Sequence, residues 1–364
     1  MTNLLENLKI SFFVLLKRMT IYFVIHSGLI RLYMHKNRRN VTILTLHGVM
    51  SEEYNREWLP LRPQIDPKRL DQGLAILSGY YNFVSLSMAL DILNGKVEPV
   101  DNAMVITMDD GYVNQFELAV PICNKYDAHP IVYVVAGKGD GLTSLWFDRL
   151  DYVLQHIKSE EIALTIGDEK IVLDLRDRLV ATKSYKLFRD KCKDHFVDDY
   201  TFNEYMNNLI SRLETESGHS LENIQNNDLW CRLARLGSIR SYLNRYNLEI
   251  GSHTMSHYRL DKVDRLKIIQ ELELSKKIIE EKVGEKCIHL CYPNGDYSEE
   301  VIQLVKDGGY LSATTSDSGS NFPGQNVYKL KRVHFPLSGS MRELLFFVTF
   351  GGLRKAFSFN NSYD

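Results

Sequence analysis

Two short segments far apart in the chain carry residues that could do chemistry together. Thr107-Met108-Asp109-Asp110-Gly111-Tyr112 sets two carboxylates side by side, and His253-Thr254-Met255-Ser256-His257 sets two imidazoles at i, i+4. Two imidazoles and one carboxylate make a three-ligand metal site, the kind that keeps a position open for water. A bound ion lowers the pKa of that water, so it attacks a carbonyl near neutral pH. The carboxylate left over is then placed to accept the water's proton. Each segment alone has a plainer reading. An apolar run followed by Asp-Asp-Gly is a strand ending in a polar turn. Histidines at i, i+4 share a face only on a helix, whereas Leu248-Glu249-Ile250-Gly251-Ser252 leads into them as a short strand and turn. What gives the pair weight is joint occurrence at the C-terminal ends of two strands, the edge where ligands of open α/β sheets and barrels gather.

The elements that must position these residues alternate from Val41 onward. Strands are expected at Val41–Leu46, Phe83–Leu86, Met104–Thr107 and Ile131–Val135, and helices at Asp66–Tyr80, Ser87–Leu93 and Tyr112–Tyr126. Repeated βα units imply a parallel sheet. Residues 148–246 break the pattern. Glu160–Leu175 alternates apolar and polar residues about Gly167-Asp168, which reads as a hairpin, and helices are expected at Arg178–Asp194, Thr201–Ser217 and Asn227–Arg235. Beyond His257 the pattern resumes with a charge-rich helix, Asp261–Val283, then Cys287–Tyr292, Ser298–Asp307 and Leu311–Thr315.

These residues carry a family resemblance. Thr107-Met108-Asp109-Asp110-Gly111 resembles the T-F-D-D-G motif of the polysaccharide deacetylases with NodB homology, carbohydrate esterase family 4. His253-Thr254-Met255-Ser256-His257 resembles their H-[ST]-x-x-H, and Cys291-Tyr292-Pro293-Asn294-Gly295 their R-x-P-[YF]-G. The resemblance implies an α/β fold, a distorted (β/α) barrel of the polysaccharide-deacetylase type with a mainly helical insertion. It implies that Asp109 is the general base and that Asp110, His253 and His257 hold one divalent ion. Zinc is the expected ion, although two His and one Asp also suit cobalt, nickel or iron. Tyr292, Pro293 and Asn294 would line the sugar site, with the Asn294 N–H facing the acetyl oxygen, where negative charge develops. Trp146 is a candidate for stacking on a sugar, with a core tryptophan as its plainer reading, and His47 is a candidate for the rim.

The chain departs from the family at two points. Cys291 stands where relatives carry an Arg that holds the base, and a thiol cannot pair with a carboxylate. Arg332, in Leu330-Lys331-Arg332-Val333-His334, is the expected replacement, since a guanidinium keeps a carboxylate both oriented and ionised; its loss is expected to cost activity far more than stability. No late Leu-His-Asp motif supplies the general acid, and His334 is the candidate because imidazole titrates near neutral pH.

The resulting organisation is an amphipathic, basic segment at 1–40, a barrel formed by 41–147 and 247–340, an insertion at 148–246, and an apolar, basic tail at 341–364. A net charge of −2 favours no nucleic-acid partner. Five cysteines form no disulfide framework, which points to a reducing, cytoplasmic setting. The apolar runs Ile10–Leu16 and Met19–Ile30 are each too short to span a bilayer, yet with their flanking bases they suit a helix lying in the membrane interface. An amphipathic helix packed on the barrel fits them equally. Leu344–Phe350 followed by Arg354-Lys355 has the same character.

Three functions remain open at this stage. The chain is expected to remove N-acetyl groups from an N-acetylated sugar of a polysaccharide or lipid-linked glycan. The alternatives are an inactive glycan-binding relative in a synthesis complex, favoured by the two departures, and a hydrolase of another non-peptide amide, since one barrel hosts many substrates.

Overall fold

Short runs of β-branched and apolar residues build the centre of the molecule. The structure, a computed structural model, describes residues 15–351 apart from 17, 52, 55–57, 63, 139–143 and 225. Eight parallel strands are β1 Thr42–Leu46, β2 Asn82–Phe83, β3 Ala103–Met108, β4 Ile131–Val134, β7 Glu249–Ser252, β8 His289–Cys291, β9 Ser312–Ser318 and β10 Leu330–His334. They run in the order β1-β10-β9-β8-β7-β4-β3, and β3 pairs back onto β1, closing a seven-strand barrel. β2 pairs with the start of β3 along the edge that β4 takes further on. β1, β3 and β4 are buried at every position, as expected of parallel strands covered on both faces.

Alternation divides these strands between two apolar clusters. Ile43, Val105, Ile131, Tyr133, Cys291 and Leu330 pack together with the helix Leu86–Leu93. Their sequence neighbours Leu44, Ile106, Val132 and Leu290 pack with the outer helices, among them Arg265–Val283. Side chains two apart on a strand share a face. Val105, Thr107 and Asp109 therefore climb the barrel interior from apolar to polar to charged, and Leu330, Arg332 and His334 share one face of β10.

The insertion has a core of its own. β5 Glu161–Ile166 and β6 Glu169–Asp174 form an antiparallel hairpin turning at Gly167, whose φ of 58° suits glycine. It packs with helices Trp146–Leu154, Arg178–His195 and Asp199–Ser217 around Leu150, Leu173, Phe188, Met206 and Ile210. Asp177 and Asp198 cap the two longer helices by accepting backbone N–H bonds.

Three expectations are corrected. Asn227–Arg235 is not helical; its backbone bridges to the Asp-Asp-Gly loop through Tyr112 and Leu233, and the helix follows at Leu236–Leu243. Ser85 belongs to no strand: its hydroxyl accepts from Met88 N–H and starts the next helix. Tyr112–Tyr126 is no single α-helix but a π-turn at Gln115–Ala119 followed by Val120–Asn124. Most of Ile10–Leu16 and the Arg354-Lys355 pair fall outside the described residues.

Candidate active site

β3 delivers Asp109 and Asp110 to the rim, each 3% exposed. Asp109 N–H continues the ladder to Leu46 O, and the chain then turns at Asp110 with φ 78°. That left-handed conformation is strained for an Asp. It points the two neighbouring carboxylates in different directions. Gly111 follows at φ 83°, where an added Cβ would fall 2.9 Å from Val134 Cγ1.

The two histidines converge without a helix. His253 leaves β7 with its N–H on Val134 O, and Thr254 and His257 both take positive φ, 66° and 62°. The tight turn brings His253 Nε2 to 3.7 Å and His257 Nε2 to 3.6 Å from Asp110 Oδ1. His253 Nδ1 bonds Cys291 O at 2.9 Å, which fixes the ring and leaves Nε2 facing the carboxylate. Burial, then His253, pushes His257 down to about 3. Burial also works against the proton at His253, but Cys291 and the two carboxylates outweigh it and raise that ring to about 10.

These residues fit a divalent ion. Their three ligand atoms lie within 4.8 Å of one another, and Asp110 Oδ2 is buried with no hydrogen-bond partner. A buried carboxylate oxygen left unpaired is costly, and a cation would satisfy it. Asp109, His253 and Cys291 are equally close, but both Asp109 oxygens are already taken.

Arg332 takes them. Its Nη1 lies 2.7 Å from Asp109 Oδ1 and its Nη2 2.9 Å from Oδ2, a two-pronged pair with Arg332 itself 3% exposed. Nε donates to Thr315 O at 2.8 Å, so the fork cannot swing away. Burial pushes the Asp109 carboxyl up, but the Arg332 charge, then His47, outweigh it and hold the group well below the usual carboxylate range. The guanidinium thus comes from β10 to the place where Cys291, on β8, offers none.

The remaining candidates divide. His47 Nε2 lies 3.8 Å from Asp109 Oδ2, and His47 and His334 line one cavity of about 360 Å³. Asn294 is exposed at φ 58° and accepts from Lys193 Nζ at 3.0 Å, while Pro293 is buried beside it. Tyr292 is a correction: its ring is buried in the core and its hydroxyl donates to Tyr328 O, so it offers no side chain to a sugar. Trp146 is another: it packs edge-on against Phe147 and Phe202 and does not itself line the cavity. Sequence reasoning missed Arg62, Lys186, Arg189 and Lys193, which line or border this space from outside the motifs. Lys186, Arg189 and Lys193 at i, i+3 and i+7 of a helix were the available signal.

Residues 237–313 match the family model described as polysaccharide deacetylase. The chain is 29% identical over 97 residues to "Putative polysaccharide deacetylase YxkH" of Bacillus subtilis (strain 168), a match spanning 26% of this chain and 35% of the relative. Its fold is similar to the deacetylase PplD of Streptococcus pyogenes, solved with acetate, at TM-score 0.53 and 16% identity, covering 84% of this chain and 97% of the other. It is also similar to IcaB from Ammonifex degensii, at TM-score 0.52 and 14% identity, covering 85% and 97%. The sequence matches liken part of the chain to polysaccharide deacetylases, and the solved structures share its (β/α) barrel fold.

Proposed function

We propose that this chain is a metal-dependent hydrolase that removes N-acetyl groups from an N-acetylated sugar of a polysaccharide or lipid-linked glycan. The observation that carries the reading is the division of labour between the two adjacent carboxylates. Asp110 faces two histidines with one oxygen unpaired, while Asp109 is held ionised by Arg332. Asp110, His253 and His257 would hold one divalent ion, zinc by preference, and bound there it supplies an activated water and polarises the acetyl oxygen. Asp109 accepts the proton of the attacking water, and Arg332 keeps that carboxylate charged and aimed. The Asn294 backbone N–H stabilises the oxygen that gains charge. His334 returns a proton to the departing amine from the cavity it shares with His47.

Release of acetate by the purified protein from N-acetylated oligosaccharides tests this reading. Turnover of small cyclic amides instead would favour the other hydrolase class. Binding of glycans with no turnover of either would favour the non-catalytic relative.

The N-terminal helices support a place for the protein at an anionic lipid surface. Met19, Tyr22, Phe23, Leu29 and Leu32 are each more than 40% exposed. Residues 7–51 contain seven Lys and Arg and no Asp or Glu, in a chain whose net charge is −2. Among the described residues no helix is long and apolar enough to cross a membrane. An apolar ridge flanked only by bases suits insertion among acidic headgroups.

A further inference from the structure

Apart from Pro60, Leu61, Arg62, Gln64 and Ile65, the cavity beside the candidate metal ligands has two walls of different origin. One is the barrel rim, with Thr45, His47 and His334. The other is a single face of the insertion helix Arg178–His195, where Thr182, Tyr185, Lys186, Arg189, Asp190 and Lys193 recur at helical spacing. Three of those six are cations at i, i+3 and i+7, and like charges at such spacing repel and weaken a helix. Asp190 is the only acid among them, and it is exposed.

Lys193 stands near Asp190 and Asp296, but Lys186 and Arg189 are not needed to balance the site's own carboxylates. Asp109 is matched by Arg332 and Asp110 faces the histidines. Arg62, on the same cavity, is occupied by Asp148 and Tyr112, each at 2.8 Å. Among the described residues, Lys186 and Arg189 form no ion pair. Arg189 is nonetheless held in place: its guanidinium lies 5.2 Å from the Tyr185 ring, 5.6 Å from Trp146 and 5.7 Å from Phe147, and its buried Nε has no hydrogen-bond partner. Lys193 is anchored on Asn294 Oδ1 at the edge of the sugar site. Burial, then Arg189, pushes its ammonium down to about 8, with Asp190 and Asp296 acting the other way.

We infer that the substrate carries an anionic group, a phosphate or a carboxylate, bound by Lys186, Arg189 and Lys193 on the insertion helix while its N-acetyl group sits at the metal cluster. This deepens the deacetylase reading and rests on it for the identity of the sugar. A caged guanidinium with a free edge and two flanking ammonium groups are the donors an oxyanion takes.

The test is equilibrium binding to the full chain of three probes: N-acetylglucosamine 1-phosphate, a uronate-containing N-acetylated disaccharide, and neutral N,N′-diacetylchitobiose. Acetate release is followed in parallel. The expected result is that one anionic probe binds about tenfold or more tighter than the neutral one, that high salt erodes the preference, and that Lys186→Gln/Arg189→Gln abolishes it. The two anionic arms separate phosphate from carboxylate. Lys186→Gln alone, at a partly exposed position, guards against a folding defect in the double variant and should weaken the preference; Lys186→Arg should keep it. Equal binding of all three probes, or a preference that survives the double variant, overturns the inference. A preserved anion preference without any acetate release would instead sink the deacetylase reading and leave the anion site standing.

Discussion

Removing the Arg332 side chain should disturb the protein in two ways that can be measured separately. The guanidinium holds Asp109 through two bonds of 2.7 and 2.9 Å, and both residues are 3% exposed. Breaking one partner out of a buried ion pair costs about 3–5 kcal/mol, because the other charge is left buried and alone. The Asp109 carboxyl then loses the main influence opposing burial, and its pKa rises. In the wild type a native pKa below the free-Asp value of about 4 contributes stability above that pH. The contribution is lost only as pH falls through the depressed native value. Arg332→Ala should therefore be destabilised at neutral pH and much closer to wild type in strong acid. Its pH–rate profile should have an acid limb moved upward, since the base must be ionised to work. Adding Asp109→Asn should restore part of the lost stability, as a buried charge no longer stands alone. Urea midpoints across pH, read beside acetate release, make the measurement. A variant of unchanged stability whose acid limb stays in place would refute the reasoning.

Other outcomes follow from the same geometry. Asp109→Asn should keep its metal while kcat drops on the order of 10²–10⁴, the usual worth of a general base; elemental analysis beside turnover checks both halves. His253→Ala and His257→Ala should each lower metal content below the single ion expected for the wild type. Gly295→Ala should destabilise by about 1–3 kcal/mol in denaturant melts, because the φ of 83° is strained for alanine and the new Cβ would fall 2.3 Å from Ser316 N. Phe23→Glu/Leu32→Glu should release the protein from phosphatidylglycerol vesicles in a sedimentation assay, with no change in binding to neutral vesicles. Wild-type binding equal on neutral and acidic vesicles would dismiss the charge argument.

Much of the barrel was legible because its strands are continuous apolar runs that end in polar turns. Ala103–Met108 running into Asp109 needed no tertiary information. Arg332 was legible for a related reason: on a late strand of a closed barrel, alternation sets it two residues above Leu330, inside and near the rim. Its burial was not legible, and burial adds a stability cost to a residue expected to matter far more for activity. Tyr292 misled because the family motif names a position without giving its χ angles; here the ring turns into the core. Asn227–Arg235 misled because helical composition gave way to a backbone bridge with Tyr112. The cationic face of Arg178–His195 lay in plain spacing, but only packing against the rim shows that it borders the site.

Acetate release followed while metal-free protein is titrated with zinc tests the central claim most directly. Turnover of an N-acetylated glycan should rise from nothing, saturate at one ion per chain, and fail to rise in Asp110→Asn. Undiminished turnover in the metal-free protein, or a filled site that releases no acetate from any N-acetylated glycan, would contradict it.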